Sequence, residues 1–265
     1  MLDEMRGRSV LVTGGTAGIG LQTGLAFGRA GAHVTLTCRW GSADPAEIER
    51  AFAEADAPAP RILEANAASA EDLGAVLETF GTDGVDCFVS NVAFAQLVKQ
   101  WSDLQLRGLQ QSIEFTAWPL VSHLLAMREK FGRWPKHVVA ISSCGPDELH
   151  LNYDFAAASK SVLETLVRYL AHRLEREDCR VNAVRARWVP TASLDATIGA
   201  GFAPFVRRYG AEGCLQTPEE VASVVLALCS GWLDGMRGQV LTVDHGTRFH
   251  DTLMRWYAER DRLLE

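Results

Sequence analysis

Tyr153 and Lys160 stand seven positions apart in the stretch Leu151-Asn-Tyr-Asp-Phe-Ala-Ala-Ala-Ser-Lys160. Seven residues is two helical turns, so on a helix both side chains can lie on one face. A phenol can donate a proton to an oxygen on which negative charge is building. An ammonium beside it favours the phenolate and can also hold a ribose hydroxyl. The same pair on an amphipathic helix is equally compatible with plain surface positions, so the case rests on what surrounds it. Ser143, at the end of an apolar run, would be a second donor to that oxygen or a cap on a strand end.

The elements that must position this pair follow in order along the chain. Residues 8–13 are a short apolar run of β composition, and Gly14-Gly15-Thr16-Ala17-Gly18-Ile19-Gly20 leads from it into a helical stretch, 21–30. Strand, glycine-rich turn and helix start together form a pyrophosphate site: the backbone can approach the phosphates, and the helix start offers N–H groups and the positive end of its dipole. Gly14, Thr16, Gly18, Ile19 and Gly20 are therefore expected against a dinucleotide. The second strand, 31–38, ends at Arg39, the place that faces the adenosine ribose in a dinucleotide fold. An acid there would take a free 2′-hydroxyl; an arginine suits a 2′-phosphate, so the expected cofactor is NADPH. Trp40 would stack on the adenine or pack locally.

Helices are expected over 44–57, 70–80, 104–131 and 152–175, and strands over 62–65, 85–90, 137–143, 180–184 and 239–243. Asn66 and Ala67, at the end of the third strand, fall near the adenine in such folds. Residues 186–216 read as loop. Thr217-Pro-Glu-Glu220 opens a further helix with a capping threonine, a proline in the first turn and acids beside the dipole. Strands alternating with helices at this spacing imply one doubly wound parallel α/β sheet of Rossmann type over 1–265, with helices on both faces and a helical tail over about 251–264.

The chain has 265 residues, 48% hydrophobic and 22% charged, with a net charge of −7. That balance suits a globular core and argues against nucleic acid as a partner. No apolar run approaches the roughly 20 residues of a membrane span, so no membrane partner is expected. Met-Leu-Asp-Glu-Met-Arg at the start carries two acids and no apolar signal core. The six cysteines have no CxxC or histidine-rich spacing; free thiols in a reducing cytoplasm fit better than disulfides or a metal site, and no metal is expected.

Thr13–Gly20, Asn91-Val-Ala93, Ile141-Ser-Ser143, Ser159-Lys160, Arg180-Val-Asn-Ala183, Arg237-Gly-Gln239 and Val243-Asp244, in this order over nearly the whole chain, resemble a short-chain dehydrogenase/reductase. In ordinary members the tyrosine precedes the lysine by four; here that position is Ala156, and the spacing Tyr153-(x)6-Lys160 is similar to the enoyl-acyl-carrier-protein reductases of the superfamily. The resemblance implies Tyr153, Lys160 and Ser143 as catalytic residues, Asn91 and Lys160 at the cofactor, and Thr191 on the nicotinamide carboxamide. It also implies a homo-oligomer, a tetramer or dimer, built on the long helices that carry Trp118 and Tyr169.

Several positions depart from both patterns. Ser90 and Val92 alter the fourth-strand signature, and Glu114 falls, by alignment, where ordinary members have a water-holding asparagine. Arg185-Ala-Arg187-Trp188 replaces a small-residue turn after the sixth strand, and His245 interrupts the closing Val-Asp-Gly-Gly. Large side chains there would reshape the floor beside the nicotinamide. His150 and Glu114 are candidate proton carriers; Cys144 reads as packing; Trp256 and Tyr257 would cover the cleft or enter another subunit. Three functions remain open: reduction of an enoyl thioester's C=C, reduction of a C=O in a cyclic or polyketide-like substrate, and dinucleotide binding without catalysis.

Overall fold

The computed structural model describes residues 5–39, 44–94, 96–210 and 213–261. Trp40 lies outside the described residues. Seven strands form one sheet: β1 (Ser9–Thr13), β2 (His33–Cys38), β3 (Arg61–Glu64), β4 (Cys87–Ser90), β5 (His137–Ser143), β6 (Arg180–Ala186) and β7 (Val240–Val243). All pairings are parallel, in the order β3-β2-β1-β4-β5-β6-β7. Successive strands are therefore added outward in opposite directions from β1 and β4, and the crevice beyond the carboxyl ends of these strands is where such sheets bind ligands.

Burial on both faces gives the strands continuous apolar sequence. Val10 and Val12 of β1 and Val139 and Ile141 of β5 enter one core. With them pack α1 (Gly18–Arg29), α2 (Pro45–Glu54) and α9 (Pro218–Cys229). Leu11, Val138 and Ala140 point to the other side, against α3 (Ala70–Glu78), α5 (Trp118–Phe131) and α6 (Asp154–Arg173).

The expected helix over 104–131 is two helices, α4 (Leu106–Thr116) and α5, parted at Ala117. Pro119 has no N–H to give the carbonyl one turn back, so the ladder breaks there. The segment 186–216, expected as loop, holds α7 (Ala192–Ile198) and α8 (Phe202–Tyr209). The capping box at Thr217 is formed: its hydroxyl accepts from Glu220 N at 3.2 Å, and Glu220 Oε2 accepts from Thr217 N at 2.7 Å. The tail forms α10 (Thr252–Ala258), on which Trp256 and Tyr257 are exposed. No helix among the described residues is long and apolar enough to cross a membrane.

Candidate active site

A cleft of ≈ 700 Å³ opens over the carboxyl ends of β1, β4, β5 and β6. On one side stands the glycine-rich turn. Gly14 has φ +63°, the left-handed region that only glycine enters freely. A Cβ on Gly20 would sit 2.2 Å from the Gly14 carbonyl oxygen, so the turn closes only without one. Asn91 bridges β4 to this turn, its amide donating to Thr13 O at 3.1 Å and Gly14 O at 2.8 Å. Asn91 thus shapes the phosphate turn. No side chain caps α1, as none caps α4, α5, α6 or α8. A turn that side chains would fill, opening a helix whose first N–H groups have no side-chain cap, fits a dinucleotide pyrophosphate.

Thr16, Gly18, Ile19, Arg39, Asn66, Ala67, Asn91 and Thr191 all line the cleft. Asn66 is held in its own turn, Oδ1 accepting from Ala68 N at 3.1 Å, with Asp72 accepting from Asn66 N at 2.7 Å. Thr191 caps α7, its hydroxyl accepting from Leu194 N at 3.3 Å, and its methyl carbon would lie 3.1 Å from a Cβ on Gly18. The Arg39 guanidinium lies over the Phe115 ring, 5.2 Å from its centre.

The other side carries the chemistry. Tyr153 is the N-cap residue of α6 rather than a member of its first turn, and Asn152 before it adopts φ +59°. The ring lies in a slot beside Gly145, where a Cβ would approach it to 2.8 Å. The Tyr153 hydroxyl donates to Ser143 Oγ at 3.2 Å. Burial raises the phenol's pKa against the lowering effect of Ser143, so it stays a proton donor at neutral pH. Lys160 is 5% exposed and donates to the Ile141 carbonyl at 2.6 Å. Burial brings its pKa down to about 8, and the Glu164 carboxylate partly offsets that. Tyr153, Ser143 and Lys160 all line the cleft.

Below them lies an ion network that the sequence reading missed. Glu164, one turn after Lys160, is 2% exposed and takes both prongs of Arg185, Nε and Nη2, at 2.6 Å each. Ser142 donates to the same carboxylate at 2.7 Å, and Asp147 pairs with Arg185. The signal was present: Glu164 falls in the buried stripe of α6 with Leu163 and Val167, and a charge there needs a partner. Arg187 and Trp188 reach the cleft as expected; Arg187 is held by Glu148 at 2.9 Å and donates to Thr247 Oγ1 at 2.8 Å.

Two candidate residues part company. His150 lines the cleft, while Glu114 is exposed; on α4 it is Gln111 and Phe115 that face the cavity. Cys144 is buried, and burial pushes its thiol up to about 11, which suits packing.

Fold and cleft together fit a dinucleotide-binding protein of Rossmann type. Residues 14–248 match the family described as Enoyl-(Acyl carrier protein) reductase, and the chain belongs to that family, within the short-chain dehydrogenases/reductases. It is 28% identical over 177 residues to Enoyl-[acyl-carrier-protein] reductase [NADH] FabI of Rickettsia bellii, covering 64% of this chain and 66% of that one. The FabI of Aquifex aeolicus is 27% identical, with 62% of its length matched. The chain thus spans under two thirds of these enoyl reductases. It is 26% identical to the 7alpha-hydroxysteroid dehydrogenase of Escherichia coli over 92% of this chain and 96% of that one. Among solved structures, a 7 alpha-hydroxysteroid dehydrogenase complexed with NADH and 7-oxo glycochenodeoxycholic acid superposes with a TM-score of 0.79 at 22% identity, covering 92% and 96% of the two chains. The enoyl reductase of Aquifex aeolicus gives the same TM-score at 22% identity, covering 93% and 98%.

Proposed function

We propose that this protein is an NADPH-dependent reductase acting on an activated unsaturated acyl or polyketide-like substrate, reducing the C=C of an enoyl thioester. The observation that carries reduction at this site is the Tyr153–Ser143 hydrogen bond at 3.2 Å in the cleft wall, with Lys160 buried on the helix that Tyr153 caps; the Tyr153-(x)6-Lys160 spacing favours the C=C. Bound in the cleft, the reduced nicotinamide supplies the hydride. Gly14, Thr16, Gly18, Ile19 and Gly20 would hold the pyrophosphate, Asn66 and Ala67 the adenine end, Thr191 the carboxamide, and Lys160 a ribose hydroxyl. Arg39, at the carboxyl end of β2 and on the cleft wall, suits a 2′-phosphate. Its charge supports NADPH here, although the enoyl reductase relatives are named for NADH.

Once hydride reaches the electrophilic carbon, negative charge builds on the carbonyl oxygen. Tyr153 donates toward that oxygen; Ser143 holds the phenol in place and can add a second donor. The Lys160 ammonium, which lines the same cleft, would favour the charge that the phenol takes on as its proton moves. For an enoyl thioester the oxygen is an enolate, and the proton finally resides on carbon.

A second reading, reduction of a C=O to an alcohol, is favoured by the match to hydroxysteroid dehydrogenases across 92% of the chain, against 64% for the first enoyl reductase. The same donors serve both reactions. Oxidation of NADPH and of NADH is followed with a short enoyl thioester and with a bicyclic ketone, and the products are identified by mass and NMR. A saturated thioester supports the first reading and an alcohol the second. Silence with both, beside tight NADPH binding, would sink reduction of these classes. Trp118 and Tyr169, exposed on α5 and α6, support assembly as a homo-oligomer; sedimentation that finds a monomer would overturn it.

A further inference from the structure

Among the described residues, none of the C-terminal tail lines the cleft, yet the tail reaches the cleft wall through a closed circuit of contacts. Trp188 is where that circuit meets the site. Its ring lines the cleft, 4.3 Å from His150 and 4.8 Å from Phe202 at the start of α8, centre to centre. His150 turns inward between the exposed Leu149 and Leu151, and its ring lies 5.4 Å from that of Tyr153.

Helix α8 has one buried residue, Ala203, and α10 has none. Helices this short are marginal without apolar burial, so their ties decide where they stay. The two are tied to each other. Arg255 of α10, its side chain 15% exposed, donates from Nη2 to the carbonyl of Tyr209, the last residue of α8, at 2.8 Å. A cation at the carboxyl end of a helix also suits its dipole. Glu259, one turn on, accepts from Nη1 at 3.2 Å and fixes the guanidinium. The tail is anchored in turn beside Trp188: Arg187 donates to Thr247 Oγ1, ahead of α10, at 2.8 Å. From Arg187 through Thr247, α10, Arg255 and α8 to Phe202, the contacts return to the residue next to the one they left.

We propose that α10 braces the substrate wall of the cleft and that Arg255 is a positioning residue for the substrate. By holding the end of α8 it keeps Phe202 behind Trp188, and Trp188 with His150 in the wall beside Tyr153. A chain of packed rings and hydrogen bonds can carry such a constraint. The inference rests on the proposed function in one respect, that the substrate meets Tyr153.

The test compares the full-length native protein with Arg255→Met, which keeps much of the stem and removes the donors, and Arg255→Lys, which restores a charged donor. With NADPH saturating, KM for the short enoyl thioester, or for the bicyclic ketone if that is what is reduced, should rise about tenfold in Arg255→Met, the worth of one hydrogen bond to a charged group. The value of kcat and the NADPH Kd should hardly move, which marks a loss of substrate positioning rather than of chemistry. Arg255→Lys should recover most of the loss. Amide exchange over 202–209 should quicken in Arg255→Met while that of β5 stays native. An unchanged KM, a rise shared with the NADPH Kd, or unchanged exchange over 202–209 would overturn the proposal. If neither probe is turned over, the reductase reading falls, and the Kd of each probe for the NADPH-loaded protein takes the place of KM. Probe binding that weakens in Arg255→Met would then uphold the brace, and binding that stays native, or no binding of either probe, would overturn it.

Discussion

The two walls of the cleft are built on opposite plans. The dinucleotide wall is backbone and small side chains whose polar atoms already have partners within the protein: Asn91 spends its amide on Thr13 and Gly14, Asn66 on Ala68, Thr191 on Leu194. The facing wall is aromatic and charged, with His150, Tyr153, Arg187 and Trp188. A wall that is complete before the ligand arrives presents shape and N–H groups to a constant partner. The aromatic and charged wall is the one left to meet a variable substrate.

The contrast makes separable demands on variants. Tyr153→Phe should lower kcat about 10²–10⁴-fold while the dinucleotide Kd, followed by fluorescence, hardly moves. Turnover retained in full would remove Tyr153 from the chemistry. Glu164→Ala strips the partner from Arg185 beneath both walls, and breaking such a buried pair costs about 3–5 kcal/mol; a melting temperature that stays at the native value would contradict the burial and pairing described. Arg39→Ala touches the dinucleotide wall alone. It should raise KM for NADPH about 10–100-fold, the worth of a hydrogen bond to a charged group, with little change for NADH. Equal changes for both cofactors would end the argument for a 2′-phosphate.

The smallest effect is on pH dependence. The useful form of Lys160 is the ammonium, and with its pKa brought down to about 8 that form is lost as pH rises through 8. The kcat/KM of the free enzyme should therefore fall on the alkaline side of 8. The Glu164 carboxylate stabilises the ammonium, so Glu164→Gln should move this limb to lower pH. A limb that stays in place would detach Glu164 from Lys160.

Most strands and the parallel sheet class were legible because burial on both faces writes apolar runs, as in Val138–Ile141. The tyrosine and lysine were legible as a pair, although Tyr153 proved to cap its helix rather than to lie within it. Helices α7 and α8, of seven and eight residues, are too short for periodicity to reveal. Their terminal signals were available: Thr191 caps one, and Gly199 and Gly210 follow the two. That Glu114 is exposed while Gln111 and Phe115 face the cleft was not legible, because a helix's register against a cleft is set by tertiary packing. The inward turn of His150 was illegible for a related reason. It depends on Trp188 arriving from the segment after β6, against the local preference of its leucine neighbours.

Lys160, one of four lysines in the chain, is also an unusual reagent target. Near pH 8 about half of it is free amine, whereas an ordinary solvent lysine, with a pKa near 10.4, remains almost wholly protonated. A small acylating probe that fits the cleft should therefore mark this position first. Dinucleotide seated in the cleft should shield it, so the mass of the labelled peptide becomes a gauge of site occupancy in a mixture where no turnover has been observed.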